Sequence, residues 1–360
     1  MPRFLGLISL MFSSFFLHAE GENAEELSVQ LPALAAVRGQ TSLSGLSSGG
    51  FMAAQYHVAY SKGLVGVGVV AGGLWNCADS RSGTISPFMN AISTCMDPCK
   101  YSWFGCSDSL LPDVERVKGL AINEAEEGSI DPLESLQDDK VYLFSGRQDS
   151  TVVTGVVDKT KAFYRLLGVP EAAIKYNKSV DAGHAFITAD VNATPCSLTQ
   201  SPYINNCGFE QAERILSHIY GVLNTSSDDL SGELIKFDQR PFIQGSQSSM
   251  DESGYVYVPA SCLEGHCKVH VAFHGCRQGI SVMGKTYVAG SGYNEVADSN
   301  EIIVLYPQVK KSSFSPVNPR GCWDFWGYTG SNLPPYDYFK KTAPQMEAIY
   351  MMLERLMQPR

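Results

Sequence analysis

Gly45-Leu46-Ser47-Ser48-Gly49-Gly50-Phe51-Met52-Ala53-Ala54-Gln55-Tyr56 decides how the rest of the chain is read. Its first five residues match G-x-S-x-G and run directly into a helical pattern, expected over 51–61. A serine on a tight strand-to-helix turn needs glycine on either side, because only glycine lets the neighbouring backbone pass closely. The helix N-terminus then sets the positive end of its dipole beneath a developing oxyanion. The run Leu64-Val65-Gly66-Val67-Gly68-Val69-Val70 follows as the next strand. G-x-S-x-G alone is a common string. Its position between a strand and a helix singles out Ser47 as a candidate nucleophile.

Partners for that serine come later, in order. Val141-Tyr142-Leu143-Phe144-Ser145-Gly146 reads as a buried strand, and the loop after it carries Asp149. A carboxylate just past a strand's C-terminal end is where an α/β hydrolase keeps the acid that orients its histidine. Asp158 and Asp181 are its rivals. The strand expected at 174–180 leads into Asp181-Ala182-Gly183-His184-Ala185-Phe186, where small residues leave the His184 imidazole room to reach a serine. Ser47, Asp149 and His184 stand in the chain order of the α/β-hydrolase triad. His57, His218, His266 and His270 read as packing or loop residues.

Further strands are expected at 269–273 and 302–306, and further helices at 156–167, 210–222 and 343–357. This alternation predicts an α/β fold, a mostly parallel sheet with helices on both faces. A polar, Ser/Asp-rich stretch at 224–232 separates two halves, neither of which carries a full sheet. One catalytic domain over 37–360 is therefore expected. One element is displaced: Val269-His270-Val271-Ala272-Phe273-His274-Gly275-Cys276 is a strand entering an HG turn of the type that supplies an oxyanion-hole amide. It ordinarily precedes the nucleophile, as does the strand at 302–306. A circular permutation, with the chain starting just before the nucleophile strand, accommodates both. The backbone amides of Ser48 and Cys276 then form the oxyanion hole.

The 360 residues are 44% hydrophobic and 18% charged, too apolar for disorder. The formal charge of −10, without a basic run, argues against nucleic acid or anionic membrane as a partner. Met1-Pro2-Arg3 followed by an apolar run over 4–17 predicts a signal peptide, cut after Ala19, with a polar segment at 20–36. Export to the periplasm or beyond suits ten cysteines able to pair. Their spacings favour disulfide-stapled loops over a metal site. Cys95 and Cys99, Cys196 and Cys207, and Cys262 and Cys267 are local couples, with Cys77 and Cys106 bracketing the first. Cys276 and Cys322 remain and are expected to bond, which would bring Trp323-Asp324-Phe325-Trp326 to the rim of the site.

The Ser47 motif, the Asp149 loop, Gly183-His184-Ala185-Phe186, Phe273-His274-Gly275-Cys276 and Cys322-Trp323-Asp324 together resemble the extracellular poly(3-hydroxybutyrate) depolymerases. The likeness is to their single-domain, circularly permuted members, from about residue 37 to the C-terminus. It implies Ser47 as nucleophile, Asp149 as acid, His184 as base, and Ser48 and Cys276 as oxyanion donors. It also implies a substrate-facing tryptophan among Trp323 to Trp326, Trp323 and Trp326 being the candidates. A secreted monomer that hydrolyses a polyester or its oligomers, without metal or organic cofactor, is expected. The chain departs from multidomain members in having no Thr-rich or fibronectin-like linker and no polymer-binding domain. Feruloyl and acetyl-xylan esterases, with the same triad, are the alternative enzyme class. An inactive secreted polymer-binding protein is the alternative outside enzymes, and reaction with a fluorophosphonate probe separates it from both.

Overall fold

The central apolar runs become strands buried on both faces, as parallel strands under two layers of helices must be. The described strands, in chain order, are β1 (Thr41–Leu46), β2 (Leu64–Val70), β3 (Lys140–Phe144), β4 (Ile174–Asn177), β5 (Phe186–Thr188), β6 (Thr194–Pro195), β7 (Ile204–Asn206), β8 (Glu233–Asp238), β9 (Ser253–Val258), β10 (Lys268–Phe273) and β11 (Ile302–Tyr306). The helices are α1 (Ser48–Ala59), α2 (Pro87–Ile92), α3 (Val114–Glu126), α4 (Thr154–Leu166), α5 (Gln211–Tyr220), α6 (Ile280–Met283), α7 (Thr286–Gly290), α8 (Tyr293–Asp298) and α9 (Pro344–Met357). They are taken from a computed structural model that describes residues 29–83, 86–100, 102–103, 106–227, 229–245, 247–330 and 334–360. The signal peptide expected at 1–19 lies outside the described residues.

Eight strands form one sheet in the order β4-β3-β2-β1-β10-β11-β9-β8. The six from β4 to β11 run parallel. β9 is antiparallel to β11, and β8 to β9. The serine strand β1 lies at the centre, with Ser44 opposite Ala272 and Gly45 opposite Phe273 of β10. Strands from the last third of the chain thus complete the half of the sheet that an unpermuted chain builds first. The displaced HG strand sits beside the serine strand, as the permutation requires.

Alternation along each strand divides the core in two. In β11, Ile303 and Leu305 join the cluster formed with α1, α3, α4 and α9, while Ile302, Val304 and Tyr306 join the one with α5 and α8. Helices therefore cover both faces. Every residue of α1 is buried, so this helix runs through the interior and lacks a polar stripe. Its two internal polar side chains are satisfied: the Gln55 amide donates to the carbonyls of Asp324 (3.0 Å) and Tyr338 (3.1 Å). His57, expected as a packing residue, is held between Asp139 Oδ2 (2.9 Å) and the Tyr164 hydroxyl (3.1 Å).

Two expectations are corrected. β4 stops at Asn177, short of the expected end at 180, because the Asn177 side chain accepts the Ser179 amide (3.2 Å) and turns the chain out of the sheet. The domain begins before residue 37. Leu31, Leu34 and Ala36 are buried, and the amides of Leu34 and Ala36 both donate to Leu356 O of α9 (3.1 Å). Strands before and after 224–232 share the large sheet, and residues near both ends of this stretch are tied down, Asn224 N donating to Asn300 Oδ1 (2.7 Å) and Ser231 N to Asp298 Oδ2 (2.9 Å). Among the described residues, no helix is long and apolar enough to cross a membrane.

Candidate active site

The serine turn is shaped by its glycines. A Cβ on Gly45 would overlap the Gly49 carbonyl, and one on Gly49 would overlap the carbonyl of Phe273. With both absent, α1 starts directly against β10 and Ser47 is forced into a tight corner at φ 58°, ψ −123°. That backbone region is costly for any residue but glycine, and such strain collects at functional sites. Hydrogen bonds hold it in place: Ser47 N donates to Val70 O (2.9 Å), and Ser47 O accepts from Phe51 N (2.9 Å). Ser48 N and Gly49 N open the helix and have no intrahelical acceptor.

Asp149 lies in the loop after β3, its carboxylate fully buried. Oδ1 accepts the amides of Thr151 (2.8 Å) and Val152 (3.0 Å), which fixes the carboxyl plane. Oδ2 accepts from His184 Nδ1 at 2.7 Å. With Nδ1 donating, Nε2 carries the free lone pair. The rivals are engaged elsewhere, Asp158 with Lys178 (2.8 Å) and Asp181 with Arg147 (3.2 Å). His184 N donates to Thr199 Oγ1 (2.8 Å), and Gly183 N to Cys196 O (2.9 Å). The small sheet β5-β7-β6 and the Cys196–Cys207 bond therefore brace the histidine loop.

Ser47, His184, Gly275 and Cys276 line one cavity of about 230 Å³. Three of its lining residues, Ser47, Tyr203 and Arg277, have positive φ. The HG turn forms one wall. Gly275 N donates to Gln278 Oε1 (2.7 Å), whose amide reaches Pro202 O (2.9 Å), and Arg277 N donates to Arg320 O (2.7 Å). Cys276 N, between two engaged amides, has no protein acceptor among the described residues, as a donor awaiting an oxyanion requires. His274 is buried and is not a second base. Nδ1 donates to Gly275 O (2.8 Å), Nε2 accepts from Val309 N (3.3 Å), and burial pushes its pKa down to about 4.

The disulfides include Cys276–Cys322, Cys196–Cys207 and Cys262–Cys267, as expected. Cys95 and Cys99 are not a couple: Cys77 bonds Cys95 and Cys99 bonds Cys106. The Asn90 amide donates to Ala78 O (2.9 Å), docking the α2 segment on residues 77–79 and bringing Cys95 to Cys77. Met96, next in the chain, lines the same cavity as Ser47 and His184 and accepts Val153 N through its carbonyl (3.0 Å). Trp323 is a second correction. It is fully buried against Phe273 and His274 rather than on the rim, with its backbone amide on Ser48 Oγ (3.3 Å). Trp326 is partly exposed and joins Phe88, Pro316 and Tyr328 in a separate cavity of about 480 Å³. Asp324 shapes that loop by accepting the amides of Trp326 (3.1 Å), Gly327 (2.6 Å), Tyr328 (3.1 Å) and Thr329 (2.9 Å).

Thr199, Tyr203, Arg277, Gln278 and Arg320 line the cavity without having been singled out in the sequence. Only the closeness of Arg277 and Gln278 to Cys276 was there to signal them. Cys276→Ser/Cys322→Ser is expected to lower kcat about tenfold to a hundredfold, by loosening a candidate oxyanion donor. Cys262→Ser/Cys267→Ser, before β10 and at the opposite end of the sheet, is expected to change kcat by less than about twofold. Steady-state kinetics beside melting curves checks both.

No family model matches the chain. It is 41% identical over 342 residues to a poly(3-hydroxybutyrate) depolymerase of Delftia acidovorans. That match covers 93% of this chain and 63% of the relative, so the chain spans under two thirds of that protein's length. A polyhydroxybutyrate depolymerase of Talaromyces funiculosus is 36% identical over 327 residues, 86% of this chain and 88% of that one. The crystal structure of a PHB depolymerase from Penicillium funiculosum matches at a TM-score of 0.78 and 32% identity, covering 91% of this chain and 99% of that one. A PHB depolymerase with one serine-to-alanine substitution, in complex with an R3HB trimer, matches equally well.

Proposed function

The chain belongs to the poly(3-hydroxybutyrate) depolymerase family, and from that premise we propose that it is a secreted serine esterase that cleaves the ester bonds of poly(3-hydroxybutyrate) and its oligomers. The observation that carries the reading is the convergence of a strained Ser47 and an Asp149-oriented His184 on one cavity.

His184 Nε2 takes the proton of Ser47 as Oγ attacks the ester carbonyl. The amides of Ser48 and Cys276 hold the oxyanion. Collapse breaks the ester C–O bond, and His184 returns the proton to the departing alkoxide, which leaves as a hydroxyl. Water, deprotonated by the same histidine, then frees the acyl group from Ser47. Asp149 holds the tautomer throughout and stabilises the imidazolium. Trp326, partly exposed and lining a second cavity, offers an apolar face to the polyester. Five disulfides and the apolar N-terminal run support secretion.

Side-by-side hydrolysis of amorphous poly(3-hydroxybutyrate), the R3HB trimer and methyl ferulate tests the substrate class. The polymer and trimer are expected to release 3-hydroxybutyrate, with kcat/KM for the trimer at least about 10²-fold above that for the ferulate. A ferulate preference would move the chain to the carbohydrate-esterase reading.

A further inference from the structure

We propose that Arg277 and Arg320 form a carboxylate-recognition site at the mouth of the active cavity, which holds the free acid end of a hydroxyalkanoate oligomer. The inference rests on the esterase reading of the cavity and deepens it, by naming which end of a short substrate the site reads.

Both arginines line the cavity that contains Ser47 and His184, and both are exposed. Their segments are tied twice, by Arg277 N on Arg320 O (2.7 Å) and by the Cys276–Cys322 bond. Arg277 takes a φ of 66°, uncommon for a long side chain, and directly follows the candidate oxyanion donor. Elsewhere in this acidic chain, Arg38, Arg116, Arg147, Arg165 and Arg240 each meet a carboxylate. Arg277 and Arg320 have none among the described residues. The other lining residues, such as Leu46, Met96, Thr151 and Tyr203, bring no acid either.

A polyester chain is neutral along its length, so two guanidinium groups gain little from its interior. Its single anion is the terminal carboxylate, which a guanidinium meets with two parallel, charge-assisted hydrogen bonds. That end lies on the alcohol side of every ester bond in the chain. When Ser47 takes the acyl carbon and the C–O bond breaks, the fragment held by the arginines is the one that accepts the proton and leaves. Short oligomers are therefore shortened from the acid end, and the released hydroxy acid competes with substrate for the same two cations.

The test is calorimetric titration of the R3HB trimer and its methyl ester into Ser47→Ala protein, with and without Arg277→Gln/Arg320→Gln. The acid is expected to bind about tenfold more tightly than the ester. Salt is expected to narrow the gap, the double arginine change to close it, and Arg277→Lys/Arg320→Lys to restore part of it. Equal affinities for acid and ester, absence of acid binding, or a gap that survives both glutamines would overturn the proposal. Trimer hydrolysis by the unsubstituted enzyme is scored separately. A carboxylate preference in binding with no hydrolysis would defeat the esterase reading and leave the arginine site standing.

Discussion

Ser47→Ala is expected to lower kcat on the R3HB trimer by about 10⁵-fold or more while the protein stays folded. The size follows from what the variant lacks. Ser48 Oγ cannot substitute, since it accepts Trp323 N (3.3 Å) and sits on a buried residue one step into the helix. His184 then has no hydroxyl to deprotonate. The proposed oxyanion donors are backbone amides and survive the change, so a residual rate above that in water is expected to remain. Stability is expected to change little, because alanine keeps the Cβ and meets the same positive φ as serine. The melting temperature checks that the loss lies in chemistry, and retained trimer binding checks the cavity.

Asp149→Asn is the second large effect, a fall in kcat of about 10⁴-fold, with Asp158→Asn and Asp181→Asn close to unchanged. Two amides already donate to Asp149 Oδ1. An asparagine oxygen therefore stays on Thr151 N and Val152 N, and its amide group turns toward His184 Nδ1. The imidazole must then accept at Nδ1 and carry its proton on Nε2, where it can no longer take one from Ser47. Geometry is preserved and the tautomer is wrong. Asp158 and Asp181 face Lys178 and Arg147, and these exposed pairs contribute little. A comparable loss from either rival would displace Asp149 from its role.

The parallel strands were legible because burial on both faces leaves continuous apolar runs, seen at Leu64–Val70 and Ile302–Tyr306. The proposed triad stood out for a related reason: Ser47, Asp149 and His184 each follow a strand end, in the chain order an α/β hydrolase uses. The edge strand Glu233–Asp238 escaped notice because its charged and half-exposed residues give little apolar signal. Helix Val114–Glu126 buries only Val117 and Ala121, too thin a stripe to stand out. Cysteine pairing depends on which segments dock, and the docking of α2 on residues 77–79 leaves no mark in the spacing. Trp323 was placed on the rim by its disulfide neighbour, yet its ring fills the space beneath the HG turn against Phe273. Arg277 and Arg320 lie 43 residues apart and meet through the Cys276–Cys322 link and the Arg277 N–Arg320 O hydrogen bond, so no local pattern joins them.

The most direct test is titration of the enzyme with a fluorophosphonate, following trimer hydrolysis and locating the adduct by peptide mass spectrometry in the same samples. Activity is expected to fall in proportion to a single adduct on Ser47 and to vanish at one equivalent per chain. Full labelling of Ser47 with trimer hydrolysis intact, or inactivation with the adduct on another residue, would contradict a Ser47–His184–Asp149 esterase.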